Sequence, residues 1–409
     1  MNSILKGLRV VEGSAFVAAP LGGMMLAQMG AEVIRFDMIG GGLDYRRWPV
    51  TPDNNSIYWA GMNKGKRSLA VDLRSNEGRE IISRLITAPG PDAGIYLTNL
   101  PVRGWSSHET LEKARADIIT MNIVGNPDDT TAVDYTVNAR IGWPFTTGPA
   151  DLDENEPVNN VLPGWDLTCG LMASIALLAA ERHRSRTGEG QHIRLSLADV
   201  GYHLTASLGY VGDVQINNDQ RPRIGNQMYG TLGRDFRTSD NRRIMLVVVT
   251  PRQMKDFTAA AGLEAAFSAL EAQKGVDLSQ EADRWQVRDE LNSLIAPWFE
   301  ANTLAEAGDA LTKAGILWSP FRTYKQMVAE DPFVSTDNPL FQNVEQPGIG
   351  RHLVPGSPFD FSQFPREEVG RAPLLGEHTD EILSRILGMG DGEIGALHDK
   401  GIVAGPETD

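Results

Sequence analysis

Asp166 stands where a break in the chain gives way to a helical pattern, and a carboxylate in such a place can act as a nucleophile toward an acyl carbon. Pro163 and Gly164 precede it, and apolar Leu167, Leu171, Ile175 and Leu178 follow at helical spacing. This pattern predicts Asp166 as the N-cap, where the helix dipole and backbone donors hold a carboxylate ionised. Most aspartates at helix starts are caps and nothing more, so position alone leaves both roles open. Arg182, His183, Arg184 and Arg186 crowd the far end, where the dipole favours cations. Thr187-Gly188-Glu189-Gly190 supplies the stop, and Ile193, Leu195 and Leu197, alternating with His192, Arg194 and Ser196, predict a strand.

Two basic clusters are the other chemistry-bearing stretches. Arg46 and Arg47 follow Gly40-Gly41-Gly42, and Lys64, Lys66 and Arg67 run into the strand Leu69–Leu73. In a chain of 409 residues with net charge -15, such clusters are the places to grip phosphates, although a solvated basic loop is the alternative. That overall charge argues against nucleic acid or anionic membrane as a partner. Cys169 is the one cysteine, which excludes an internal disulfide and a multi-thiolate metal site and fits a reducing, cytoplasmic compartment. Its place beside Asp166 leaves a reactive thiol or a small buried hydrophobe as readings. His183, His192 and His203 suit no standard ligand set, so no metal is expected. The apolar run Ala15–Met29 is short and carries Pro20, Gly22 and Gly23, so it reads as a buried helix and not a membrane span.

The elements that must position these groups alternate. Strands are predicted over 8–12, 31–37, 69–73, 93–100 and 118–124, with helices over 20–29 and 76–86 and another opened by Ser106 with Glu109 in a capping box. Such alternation implies a mostly parallel sheet covered by helices. The turn Gly13–Pro20 lacks G-x-G-x-x-G, so ordinary dinucleotide binding has weak support. Asn126–Asn160 reads as long loops, residues 221–336 as a smaller α+β domain with a hairpin over 233–249, and 337–409 as a C-terminal segment.

Asp166 followed by LLAAERHRSRTGEGQ, Ala18-Ala19-Pro20 with GAEVIRFD after it, and NKGKRS before a strand together resemble the class III CoA-transferases, the group that includes formyl-CoA transferase, carnitine CoA-transferases and α-methylacyl-CoA racemases. The resemblance covers essentially the whole chain. It implies an α/β fold with a Rossmann-like large domain (1–220), a smaller α+β domain, a C-terminal segment that returns to the large domain, and subunits interlocked as a homodimer. It also implies an acyl-CoA substrate, no cofactor beyond the coenzyme A that substrate carries, and Asp166 as the nucleophile. Carried over residue by residue, it places Val17, Ala18, Lys66, Arg67, Val71, Asp72, Leu73, Arg74, Asn99, Leu100 and Arg103 against CoA. Tyr135–Asn138 falls where many members carry a YDLVAQA-like run, with Thr136 or Asn138 in place of its acidic residue, so a second carboxylate is not expected and Asn138 becomes a pocket candidate.

Racemization would need a histidine roughly thirty residues before the aspartate in the family pattern, and none lies between His108 and His183. CoA transfer to a free acid, and a non-catalytic CoA-binding subunit, stay open as alternatives to transfer within one dicarboxylate. Formyl-CoA transferase carries a run of glycines after its small-domain G-N pair. Here Gly225-Asn226 is followed by Gln227, Met228, Tyr229 and Gly230. Met228 and Tyr229 are therefore candidate pocket residues that confine a free acid between transfer steps, with ordinary loop packing as the alternative. Changing both to glycine is expected to make exchange with labelled acid in solution detectable, and undetectable exchange in the double variant would remove them from this role.

Overall fold

The computed structural model describes residues 4–102 and 104–406 and divides into two compact units. The larger comprises Met1–Ile141, Asn160–Asn217 and Pro332–Asp409, and the smaller Gly142–Asn159 and Asn218–Asp331. Gly142–Asn159, expected as loop in the large domain, therefore belongs to the smaller unit.

In the larger unit the chain runs β1 (Arg9–Gly13), α1 (Ala18–Gln28), β2 (Glu32–Asp37), α2 (Ile57–Met62), β3 (Arg67–Val71), α3 (Asn76–Ile86), β4 (Ile95–Thr98), α4 (His108–Ala114), β5 (Ile119–Val124) and α5 (Asp134–Arg140). After α6 (Trp143–Thr146) in the smaller unit come α7 (Gly164–Thr187), β6 (Gln191–Ser196), α8 (Leu197–Ser207) and α9 (Tyr210–Asn217). The smaller unit then forms an antiparallel sheet, β7 (Leu232–Arg237), β8 (Arg243–Val248) and β9 (Leu317–Pro320). Between β8 and β9 lie α10 (Pro251–Ala261), α11 (Glu264–Lys274), α12 (Glu281–Gln286), α13 (Arg288–Ala301) and α14 (Leu304–Lys313), packed on a core that includes Phe257, Leu291, Ile295 and Phe299. A helix α15 (Tyr324–Glu330) leads back to the larger unit. There the hairpin β10 (Phe341–Gln346) and β11 (Gly350–Pro355) precedes α16 (Thr379–Leu387), α17 (Asp391–Asp399) and β12 (Val403–Ala404).

The large sheet has the order β12-β3-β2-β1-β4-β5-β6, with β1 to β6 parallel and β12 antiparallel at the edge. Its six parallel strands thus follow the doubly wound order 3-2-1-4-5-6, in which ligands sit beyond the carboxyl ends of the strands where the winding reverses. That point lies between β1 and β4. The neighbouring pairs Val10 and Val11, Val33 and Ile34, Leu69 and Ala70, and Tyr96 and Leu97 are all buried, so β1 to β4 bury side chains on both faces, as a helix-covered parallel sheet requires.

Helix α7 packs on α1 through their glycines. A Cβ on Gly170 would come within 2.6 Å of the Ala18 carbonyl oxygen, so the two backbones approach as closely as they do only because that atom is absent. The buried face of α7 is Cys169, Gly170, Ala173, Ser174, Leu177 and Ala180. The stripe read from the sequence is corrected: Leu171 and Ile175 are 43% and 67% exposed in this chain, because small residues serve a close helix contact better than leucines. Two further corrections are local. Ser107, not Ser106, caps α4 by accepting from the Thr110 amide. Residues 134–140 form a helix where loop was expected; Val137 and Ile141, hidden among polar neighbours in the sequence, bury it against Gly201 of α8.

Candidate active site

Asp166 lies in the first turn of α7, but Pro163 is the N-cap residue and gives no side-chain cap. The capping role is filled from another element. Asp134, at the start of α5 and 3% exposed, accepts hydrogen bonds from the backbone N–H of Trp165 at 2.8 Å and of Asp166 at 3.0 Å. This satisfies two donors that a helix start leaves open and releases the Asp166 carboxylate from capping. Asp134 also corrects the expectation of a missing second carboxylate: it stands two positions before Thr136, within the VDYTVN run, and was overlooked through register. Thr136 instead secures the start of α5, its hydroxyl accepting from the amide of the N-cap residue Val133. Asn138 is buried, and its Oδ1 accepts from Trp165 Nε1 at 3.0 Å, so it holds the ring beside the nucleophile.

The electrostatics differ from the expectation of a carboxylate held ionised. Burial, and then the charge of Asp134, push the Asp166 carboxyl up to about 7, with Arg47 opposing them. Near neutral pH the group is present in both forms, and its ionised form is a more basic nucleophile than an ordinary aspartate. Activity that depends on the carboxylate is expected to rise with pH through a midpoint near 7. Replacing Asp134 by asparagine keeps an acceptor for α7 and removes a charge that raises Asp166, so the midpoint is expected to move to lower pH. A pH–rate profile checks this; an unmoved midpoint would mean that Asp134 acts only as a cap. Cys169 is buried and its thiol is pushed up to about 12 by burial and by Asp166, which leaves a buried small hydrophobe as its role.

A buried network fixes the loop that carries Arg47. Arg35, 1% exposed, donates to both Asp37 oxygens at 2.8 and 2.9 Å and to Asp44 Oδ1 at 2.9 Å. The other oxygen of Asp44 accepts from the Phe16 amide at 2.9 Å. Phe16 has φ 66°, and its neighbour Ala15 is clamped by Asn99, whose amide makes two hydrogen bonds to the Ala15 backbone at 2.9 and 2.7 Å. The β1–α1 turn, the β4 end and the Gly40–Trp48 loop are thereby fixed to one another at the switch point of the sheet. The exposed Arg47 guanidinium carbon sits 5.2 Å from the Phe16 ring centroid and 5.4 Å from that of Tyr58, and it makes no ion pair with a described residue. Tyr58 was missed by sequence reasoning. Its hydroxyl is buried without a normal hydrogen bond, and burial together with Arg47, Asp44 and Asp166 perturbs it, with a net rise in its pKa. An unsatisfied donor beside a nucleophile is suited to a developing oxyanion. Gly40, Gly42, Leu43, Tyr45, Arg46, Arg47 and Trp48 line a cleft of about 550 Å³.

The CoA contacts carried over by resemblance divide. Val17 and Ala18 open α1, which no side chain caps, and Leu100 follows β4, so all three lie at the carboxyl end of the sheet. Val71 is buried at the end of β3, Leu73 packs on the core, and Arg74 is exposed and pairs with Asp72 at 2.9 Å. Lys66 and Arg67 are corrected. Lys66 is 3% exposed and its ammonium donates to Glu12, the Pro20 carbonyl and Asn63 at 2.8, 2.8 and 2.9 Å, so its donors are spent inside the protein. Arg67 opens β3 at its amino end and pairs with Glu32 and Glu381. Arg103 lies outside the described residues. Met228 and Tyr229 belong to the smaller unit, where Met228 packs against Gly233 and the Tyr229 ring lies 5.0 Å from that of Trp285. Among the described residues there is no group of three or more His, Cys, Asp or Glu that could hold a metal ion, and no helix is long and apolar enough to cross a membrane.

The chain is 54% identical over 408 residues to 2-methylfumaryl-CoA isomerase of Chloroflexus aurantiacus, covering 100% of this chain and 99% of that protein. It is 26% identical over 421 residues to human succinyl-CoA:glutarate CoA-transferase, covering 100% and 92% respectively. A CAIB/BAIF family protein from Brucella suis has the same fold, with a TM-score of 0.76 at 24% identity over 94% of this chain and 100% of that one. The sequence pattern of CoA-transferase family III matches residues 5–379, a span that contains Asp166, Asp134 and Arg47 together. With a helix-borne aspartate at the switch point of a doubly wound sheet and that match across nearly its whole length, the chain belongs to CoA-transferase family III.

Proposed function

We propose that this protein moves coenzyme A between the two carboxyl groups of one dicarboxylate, converting 2-methylfumaryl-CoA to 3-methylfumaryl-CoA. The observation that carries the reading is the meeting at one site of a carboxylate raised to about 7, Asp166, with a guanidinium that makes no ion pair with a described residue, Arg47. One attacks the thioester, and the other suits the substrate's free carboxylate. The activity named for the 54% identical relative supports the same substrate.

In the first step an Asp166 oxygen attacks the C1 thioester carbonyl; the C–S bond breaks, leaving a mixed anhydride and CoA thiolate. The thiolate attacks the aspartyl carbonyl, which frees the C1 carboxylate and forms an aspartyl-CoA thioester. The C4 carboxylate then attacks that thioester and expels the thiolate, forming the second anhydride. Attack of the thiolate at the C4 carbonyl delivers the isomer and restores the Asp166 carboxylate. No net proton is taken up or released. In this reading the Tyr58 hydroxyl donates to the oxyanion that forms in these steps, a role supported by its unpartnered state and its electrostatic coupling to Asp166.

A second reading, transfer to a separate acid, rests on relatives such as the succinyl-CoA:mesaconate CoA-transferase of Haloarcula hispanica, 27% identical over 408 residues. Incubation of purified protein with 2-methylfumaryl-CoA and no added acid separates the two. Chromatography is expected to show the 3-methyl isomer at equilibrium, and a strict requirement for added acid would overturn the proposal. We further place the protein in the cytoplasm as a homodimer, a state consistent with apolar Leu171, Ile175 and Ile216 left exposed in one chain.

A further inference from the structure

A second cavity, of about 650 Å³, lies at the amino ends of the parallel strands, where Gly30 and Ala31 precede β2 and Lys64 and Gly65 precede β3. Phe359, Phe361 and Phe364, from the segment between β11 and α16, contribute an aromatic wall. The Asp166 site is built instead on residues that follow the carboxyl ends of β1 and β4, so the two sites lie at opposite ends of the strands.

Lys64 is the unusual member of this lining. It is 7% exposed and makes no hydrogen bond or ion pair with any described residue. Burial alone lowers its ammonium to about 8, and no carboxylate contributes. Lys66 shows the ordinary arrangement, with Glu12, a carbonyl and Asn63 gathered around a buried ammonium. An ammonium on a largely buried side chain gives up part of its hydration, and a counter-charge at its open end restores what is lost. Here the chain leaves room for one. The remaining charged groups of the lining are at the rim: Arg366 turns its guanidinium to the Phe359 and Pro358 carbonyls, while Glu367 and Glu368 are exposed. Two acidic groups at the entrance disfavour a polyanion and leave a single carboxylate as the best match.

We propose that this cavity binds a small monocarboxylate with an apolar body, its carboxylate paired with Lys64 and its hydrocarbon among Phe359, Phe361 and Phe364. The site is separate from the Asp166 centre and takes no part in its chemistry.

Octanoate serves as the probe, with octanol as its uncharged counterpart, in calorimetric titration of the purified protein. One octanoate is expected to bind per chain. Lys64→Met, which removes the charge and keeps an unbranched apolar side chain, is expected to weaken octanoate by about tenfold or more. Lys64→Arg keeps the charge and is expected to retain binding within roughly threefold. Octanol should not distinguish the variants, and CoA transfer by Lys64→Met should equal that of the wild type. Trace acetylation read by peptide mass spectrometry should label Lys64, and octanoate should protect it. Equal affinity of wild type and Lys64→Met for octanoate would overturn the proposal. So would a Lys64 that resists acetylation without octanoate, since a second copy of the chain would then already cover the cavity.

Discussion

Asp166→Asn is expected to lower the rate of CoA transfer by about four orders of magnitude, because the side chain is the group to which both anhydrides and the aspartyl thioester are formed. An amide of nearly the same shape cannot attack a thioester, and Asp134 still caps the helix through the Trp165 and residue-166 amides. The loss should therefore appear in kcat with substrate binding retained. Stability gives an independent readout with a definite sign. The carboxyl titrates near 7 in the folded chain against 3.8 as an ordinary aspartate. The folded state then holds a proton that the unfolded state has released between about pH 4 and 7, so the wild type loses stability from this group as pH rises through that window. Asp166→Asn has no such loss. Its melting temperature is expected to exceed that of the wild type at pH 8, and by less at pH 5. A variant that is inactive and also less stable at pH 8 would point to a structural defect.

Arg47→Met is expected to cost about 10- to 150-fold in kcat/KM toward the dicarboxyl substrate, the range for losing one charge-assisted hydrogen-bonded pair. Two aromatic rings hold the guanidinium, at 5.2 and 5.4 Å, and its charge acts on Asp166. Removing that charge withdraws the one influence that lowers the Asp166 pKa, so the pH midpoint should move upward, opposite to its displacement in Asp134→Asn. Arg47→Lys retains charge without the planar fork and should fall between wild type and Arg47→Met. A midpoint that moves while kcat/KM on the ionised enzyme stays unchanged would show that Arg47 tunes Asp166 without holding substrate.

The parallel sheet was legible in the sequence because its strands are short apolar runs bounded by turn residues, and β-α-β alternation allows few arrangements. Asp166 was legible from residue type and context, yet its actual environment was not. Its cap comes from Asp134, a contact set by the packing of α5 against α7, and α5 was hidden in a stretch whose Asp, Asn and Thr content reads as loop. Periodicity misjudged the buried face of α7 because Gly170, Ala173 and Ser174 carry little hydrophobic signal while making the closest contact with α1. The basic run Lys64–Arg67 shows the same limit. Charge alone pointed to phosphate, whereas tertiary structure spends Lys66 on Glu12, Arg67 on Glu32 and Glu381, and leaves Lys64 largely buried without a side-chain partner among the described residues. Tyr58 carried no sequence signal, since an aromatic before a basic loop is ordinary core; only its unsatisfied hydroxyl beside Arg47 marks it.

The most direct test of transfer within one substrate is incubation with unlabelled 2-methylfumaryl-CoA in the presence of isotope-labelled free 2-methylfumarate, followed by chromatography and mass analysis of the thioesters. Formation of 3-methylfumaryl-CoA without label in either thioester is the predicted result. Label entering the thioester pool at a rate comparable to isomer formation would contradict it and make the protein a transferase to free acids.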